Sequence, residues 1–145
     1  MLSRHFSLGE FTRSDTARRL GISNMPEPRH KANLRALACG LEQVRRLLGD
    51  VPLTITSGYR SPRVNAAVGG VPTSAHALGY AADFSHPEMS PLEVCRAIET
   101  SVLTFDQLIY EPSRNITHIS FDPRFRREVK TQAGGPGSPV TWGLP

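Results

Sequence analysis

The sequence predicts an α+β domain, a small antiparallel sheet with helices packed mainly on one of its faces. Three observations carry this. Apolar residues recur every three or four positions across residues 29–49, and a second helical stretch covers 90–100. Short runs at 53–56, 79–85, 105–111 and 116–121 follow the alternating, β-rich pattern of strands. The last two runs are joined by only "PSRN", a connection so short that the strands must run antiparallel. The order helix, strand, strand, helix, strand, strand lacks the strict βαβ alternation of a parallel sheet.

Each element has a local reason. "SLGE" at residues 7–10 is a capping box, with Ser7 as N-cap and Glu10 at N3. It starts a short helix that gives way to a loop ending in Pro26 and Pro28. The helix over 29–49 presents Leu34, Leu37, Leu41, Val44 and Leu48 on one face and stops at Gly49. Leu53 and Ile55 alternate with Thr54 and Thr56 in a strand ending at Ser57-Gly58. "RSPRVNAAVGGVPTSAH" runs through a turn or short helix into a Gly- and Pro-rich loop, too short and misplaced for a phosphate loop. In "GYAADFS", Gly79, Ala81, Asp83 and Ser85 share one face, and Tyr80, Ala82 and Phe84 take the core face. "SPLEVCRAIET" is a helix with Ser90 at N-cap, Pro91 at N1 and Glu93 at N3. In "ITHISF", Ile116, His118 and Ser120 lie opposite Thr117, Ile119 and Phe121. The basic run at 124–130 reads as a solvated face, with contact to an anionic wall polymer as the sharper reading. Residues 1–130 are expected to form one domain, and 131–145 a mobile Gly/Pro-rich tail whose Trp142 packs back on it.

Composition bounds the class. A chain of 145 residues, 39% apolar and 21% charged, suits one soluble globular domain. No apolar run approaches the roughly 20 residues of a membrane span. The start "MLSRHFSLGEF" lacks the apolar stretch of a signal peptide, so cytoplasmic synthesis is expected, with any action outside the membrane depending on export or release by something else. Net charge +4 favours anionic partners, yet no nucleic-acid motif accompanies it, so no nucleic acid is expected. Cys39 and Cys95 read as two buried, reduced thiols, and without a CxxC pair they make no zinc site.

The chemistry sits elsewhere. Asp83 projects from a strand face stripped of bulk, as a concave site requires, and His118 points away from the apolar pair on its own strand. With His76 they make two imidazoles and one carboxylate, the donor set of catalytic zinc with a fourth position open. The spacing is not HExxH, so the site is borne on a sheet. His5, His30 and His86 read as surface residues, with a supporting role for His86 open because it lies near Asp83 in sequence.

"SxHxxGxAxD" stands here as Ser74, His76, Gly79, Ala81 and Asp83, preceded by "SGYRSPRVN" and followed by "THIS". In that order and spacing these segments resemble the zinc D-Ala-D-Ala carboxypeptidase and L-alanyl-D-glutamate endopeptidase family, of the peptidase M15 type, subfamily A. The family includes murein peptidases, vancomycin-resistance dipeptidases and phage endolysins, and its catalytic domain resembles the Hedgehog signalling domain. The resemblance spans roughly residues 5–122, and "FSLGEFTRSDTARRLGI" is similar to the short form found in phage and prophage genes. It implies that a monomeric zinc peptidase hydrolyses peptidoglycan stem peptides, with His76, Asp83 and His118 as Zn2+ ligands. It implies that Arg60 holds substrate or the charge developing on the carbonyl oxygen, and that Ser74 supports the ligand loop on the substrate side. Gly79 and Ala81 would leave room for the peptide. Several relatives carry an acid where Asn115 stands, and often an aromatic where Ile116 stands. An amide cannot accept a proton from water, so Glu111 is expected as the general base, with Asp106 and Asp122 as alternatives. Asn115 also leaves open a non-catalytic, zinc-binding structural or wall-binding module of a phage particle.

Overall fold

The computed structural model describes residues 1–135 and 137–145. Among the described residues six α-helices, α1 (Leu8–Thr12), α2 (Asp15–Leu20), α3 (Pro28–Leu47), α4 (Pro62–Ala67), α5 (Ala75–Leu78) and α6 (Pro91–Glu99), accompany one sheet. Its strands are β1 (Thr54–Ser57), β2 (Ala81–Ser85), β3 (Gln107–Glu111), β4 (Ile116–Ser120), β5 (Glu128–Thr131) and β6 (Thr141–Trp142). They lie in the order β1-β2-β4-β3-β5-β6.

The α+β class holds, and the sheet is mixed, because β3 and β5 run parallel while every other pair is antiparallel. The cause is the path of residues 121–127. After β4 the chain returns to the start of β3, where Arg127 N donates to Phe105 O and Glu128 N to Asp106 O. The next strand therefore leaves in the direction of β3. The basic run expected to be solvated ties down this return. The Arg126 guanidinium makes two hydrogen bonds to the Asp106 carboxylate, at 2.9 and 2.8 Å, and its backbone N–H a third at 3.0 Å. Arg127 donates to the carbonyls of Leu103 and Ser101, and its guanidinium lies 4.7 Å over the Phe105 ring.

The core fills the space between the helices and one face of the sheet. Leu34, Leu37, Leu41 and Val44 of α3 and Val94, Cys95 and Ile98 of α6 meet Ile55, Ala82, Phe84, Leu108 and Ile119. Each fully buried Leu, Ile or Phe contributes about 1.5–3 kcal/mol. Gly40 gives α3 a flat spot, and the Phe121 ring occupies the place a side chain would take.

Several expectations change. The capping box is present, with Glu10 N donating to Ser7 Oγ and Ser7 N to Glu10 Oε2, but the segment after it forms α2 between Ser14 and Gly21. Gly79 is not on a strand. It ends α5 in the left-handed region at φ 82°, and a Cβ there would press on His30 O at 3.0 Å, away from the cleft. Cys39 is exposed while Cys95 is buried. His30 is buried against Tyr59, and His86 accepts from Glu88 N and Met89 N while its other nitrogen binds Leu48 O. The chain beyond residue 130 is not a bare tail, since β6 pairs with β5 and Leu144 packs on the core. Pro136 lies outside the described residues.

Candidate metal centre and cleft

Register builds the site. Asp83 on β2 pairs directly with His118 on β4, and Asp83 also pairs with Ser57 on β1 across a bulge. Directly paired residues share a face. Ala82, Phe84 and Ile119 are core residues, so alternation turns Asp83 and His118 to the opposite face. His76 comes from α5, whose N-cap Ser74 accepts a hydrogen bond from His76 N at 3.3 Å. Ser74 is thus engaged on the main chain and does not line the cleft.

The three side chains are buried and their nitrogen and oxygen atoms lie within 4.8 Å of one another. His118 Nδ1 stands 3.0 Å from Asp83 Oδ1, and His76 Nε2 stands 3.3 Å from the same oxygen. The other face of His76 is fixed by Gly58 O, 2.7 Å from Nδ1. A carbonyl only accepts, so Nδ1 carries the proton in the neutral ring. Nε2 then turns a lone pair toward a carboxylate oxygen. Burial lowers the His76 pKa, which disfavours relieving this contact with a second proton. Among the described residues Asp83 Oδ2 is buried without a hydrogen bond, Arg114 Nη2 standing off at 3.6 Å. Burial opposes ionisation of Asp83, yet the two imidazoles packed against it, His118 as a hydrogen-bond donor among them, hold its carboxyl well below the usual range. Two imidazoles converging on one oxygen of an anionic carboxylate, whose other oxygen has no hydrogen bond among the described residues, fit a divalent cation with nitrogen and oxygen ligands.

These groups open into a cleft of about 550 Å³. Arg60, Glu111, Ile109 and Arg114 line it with the three residues above. Arg60 N donates to His76 O, which ties the arginine's backbone to the turn carrying the histidine. Glu111 is buried at the end of β3, and burial followed by the charge of Asp83 raises its carboxyl above the ordinary value, with His118 and Arg114 pulling the other way. Arg114 Nη1 reaches Glu111 Oε1 at 3.3 Å.

The alternative acids lie elsewhere. Asp106 is held by Arg126, Asp122 by Arg124, and neither lines the cleft. Asn115 sits exposed in the left-handed region at φ 53°, ending the 3-10 turn 112–114. Arg114 had no sequence signal, since a lone arginine in a turn reads as a solvated charge. Gln132 and Gly137, from beyond β5, also line the cleft and lay in the segment expected to be mobile.

A family model described as Peptidase M15 matches residues 4–120. The zinc D-Ala-D-Ala carboxypeptidase of Streptomyces albus G is 40% identical over 53 residues, which are 37% of this chain and 21% of that protein. The aligned region thus spans about a fifth of the relative's length.

Proposed function

The chain belongs to the peptidase M15 family, and on that premise we propose that it is a zinc-dependent metallopeptidase acting on the stem peptides of peptidoglycan. The observation that carries this reading is the buried His76, Asp83 and His118 cluster opening into a cleft that also holds Glu111. His76, Asp83 and His118 are the residues that would hold zinc. A bound zinc ion supplies a Lewis acid that makes water reactive near neutral pH and polarises the scissile carbonyl.

The protein's own groups do the rest. Glu111 takes a proton from the attacking water and returns it to the leaving amine. Its raised pKa suits a group that must both accept and give. Arg60 meets negative charge on the substrate, either as it develops on the carbonyl oxygen or as a carboxylate beside the bond. Gly58 O keeps His76 in one tautomer and orientation. The likeness to short phage forms supports a lysis enzyme of the endolysin type, cutting at D-Ala-D-Ala or at L-Ala-D-Glu.

The alternative, a non-catalytic zinc-binding module, drew on Asn115. That residue lies exposed in the turn, while Glu111 stands in the cleft, so the observation favouring the alternative is weak. Purified wall incubated with the protein, with and without a chelator, tests the reading. Mass spectrometry of the released fragments should show a stem-peptide cut that chelation abolishes. His76→Ala should lose zinc by elemental analysis. Zinc-loaded wild type that releases nothing from wall or free stem peptide would overturn the enzyme reading.

A further inference from the structure

The face that carries the metal centre does not end at the cleft. Following the strand register across the sheet gives one continuous row: Ser57, Asp83, His118, Ile109, Lys130 and Trp142. Directly paired residues share a face, so the row runs from the candidate metal ligands to the sheet edge. Its last two members lie beyond residue 120, where the family match stops. Three strand spacings of about 4.8 Å separate His118 from Trp142, roughly 14 Å in all.

Trp142 is 72% exposed, although large aromatics are usually buried. It is not loose. Lys130 Nζ lies 4.5 Å from its ring centroid, and the adjoining backbone is fixed by Gly143 N donating to Val129 O and Thr131 Oγ1 donating to Gly143 O. One flat side of the indole faces the ammonium. Beside it lies a polar strip: Gln107 Nε2 donates to Glu128 Oε1 at 2.9 Å, and Lys130 Nζ stands 3.5 Å from that same oxygen.

We propose that Trp142, Lys130, Glu128 and Gln107 form a sugar-binding subsite that holds the glycan strand while the attached stem peptide lies in the cleft. This rests on the murein-peptidase reading for the identity of the glycan, though not for sugar binding itself. The chemistry selects a saccharide. The π face of an indole is electron-rich and attracts the slightly positive C–H bonds of a pyranose ring. The hydroxyls around that ring need donors and acceptors side by side, which the amine, amide and carboxylate supply. A polyanion is disfavoured, because Glu128 and Asp106 together offset Lys130 and Arg126. The distance agrees with a cut at D-Ala-D-Ala, far along the peptide from the sugar, since four extended residues span at most about 14 Å. A short peptide with its scissile bond at the metal centre brings its sugar end to the indole.

Trp142 is the only tryptophan in the sequence, so its emission reports this subsite alone. The experiment titrates the full chain, in the presence of a chelator, with an N-acetylglucosamine tetramer and separately with a free stem peptide. The sugar should shift and saturate the emission, and the peptide should not. Calorimetry with Trp142→Ala should lose sugar binding, and Trp142→Phe should retain part of it. With active enzyme, Trp142→Ala should raise KM on glycan-linked substrate about three- to tenfold, leaving kcat and the KM for free peptide unchanged. No emission change at millimolar sugar overturns the proposal, as does an equal change with free peptide. Sugar binding in a protein that cleaves nothing would uphold this inference while refuting the peptidase reading.

Discussion

At the scale of single residues, the centre trades stability for reactivity. Glu111 is buried beside Asp83, and its carboxyl is raised. A carboxyl whose folded pKa exceeds its unfolded one loses stability as pH rises through the unfolded value. Glu111→Gln should therefore raise the melting temperature of the chelated protein near neutral pH. In the zinc-loaded enzyme the same change should lower kcat by about 10²–10⁴ with zinc content intact. In wild type, activity should fall on acidification as Glu111 takes up a proton, because the base must be ionised. A pH–rate profile checks this. Asp83 and His118 stood out as candidates because polar groups on strand faces stripped of bulk have no folding reason to be there, while His76, on helix α5, stood out only by its spacing from Asp83. Arg114 did not stand out. Only the turn at residues 112–114, ended by Asn115 in the left-handed region, folds its guanidinium back toward Asp83 and Glu111. No periodicity encodes that.

At the scale of elements, helix α3 depends on one small residue. Glycine inside a helix is ordinarily less stable than alanine by about 0.5–1 kcal/mol. At Gly40 the balance reverses, because a Cβ would overlap the partly enclosed Phe121 ring. Overpacking of that kind costs about 1–3 kcal/mol. Gly40→Ala should be net destabilising by about 1 kcal/mol or more, read as a lower urea midpoint at unchanged slope. Helix α3 itself was plain from its apolar period, and α1 and α6 from their caps. Helix α2 was missed because "DTARRL" is short and mostly polar, leaving only Ser14 and Gly21 as punctuation. Strand β5 was missed because its partner is non-local: charged Glu128 and Lys130 conceal a strand that exists only because β3 offers it an edge.

At the scale of the whole molecule, the N-terminal segment is clasped to α3 through Glu42. Ser3 Oγ and His5 N donate to its Oε1 at 2.6 and 2.7 Å, and His5 Nδ1 lies 2.8 Å from Oε2. Burial opposes ionisation, but these hydrogen bonds hold the carboxyl down to about 2. The stability it contributes is fully present above the ordinary value of 4.5 and is lost as pH falls toward 2. Urea midpoints across that window should fall in wild type and fall less in Glu42→Gln. The α+β class was legible in the sequence, while the mixed sheet was not, because strand direction depends on the return path over residues 121–127. That return path has a colloidal consequence. By pairing with β3, β5 caps what would otherwise be a raw hydrogen-bonding edge running from Gln107 to Tyr110. An uncapped edge invites the same edge of a second molecule. A chain ended after Ser120 would keep every residue of the metal centre, yet it should self-associate, eluting from a sizing column as concentration-dependent oligomers where the full chain elutes as one smaller species.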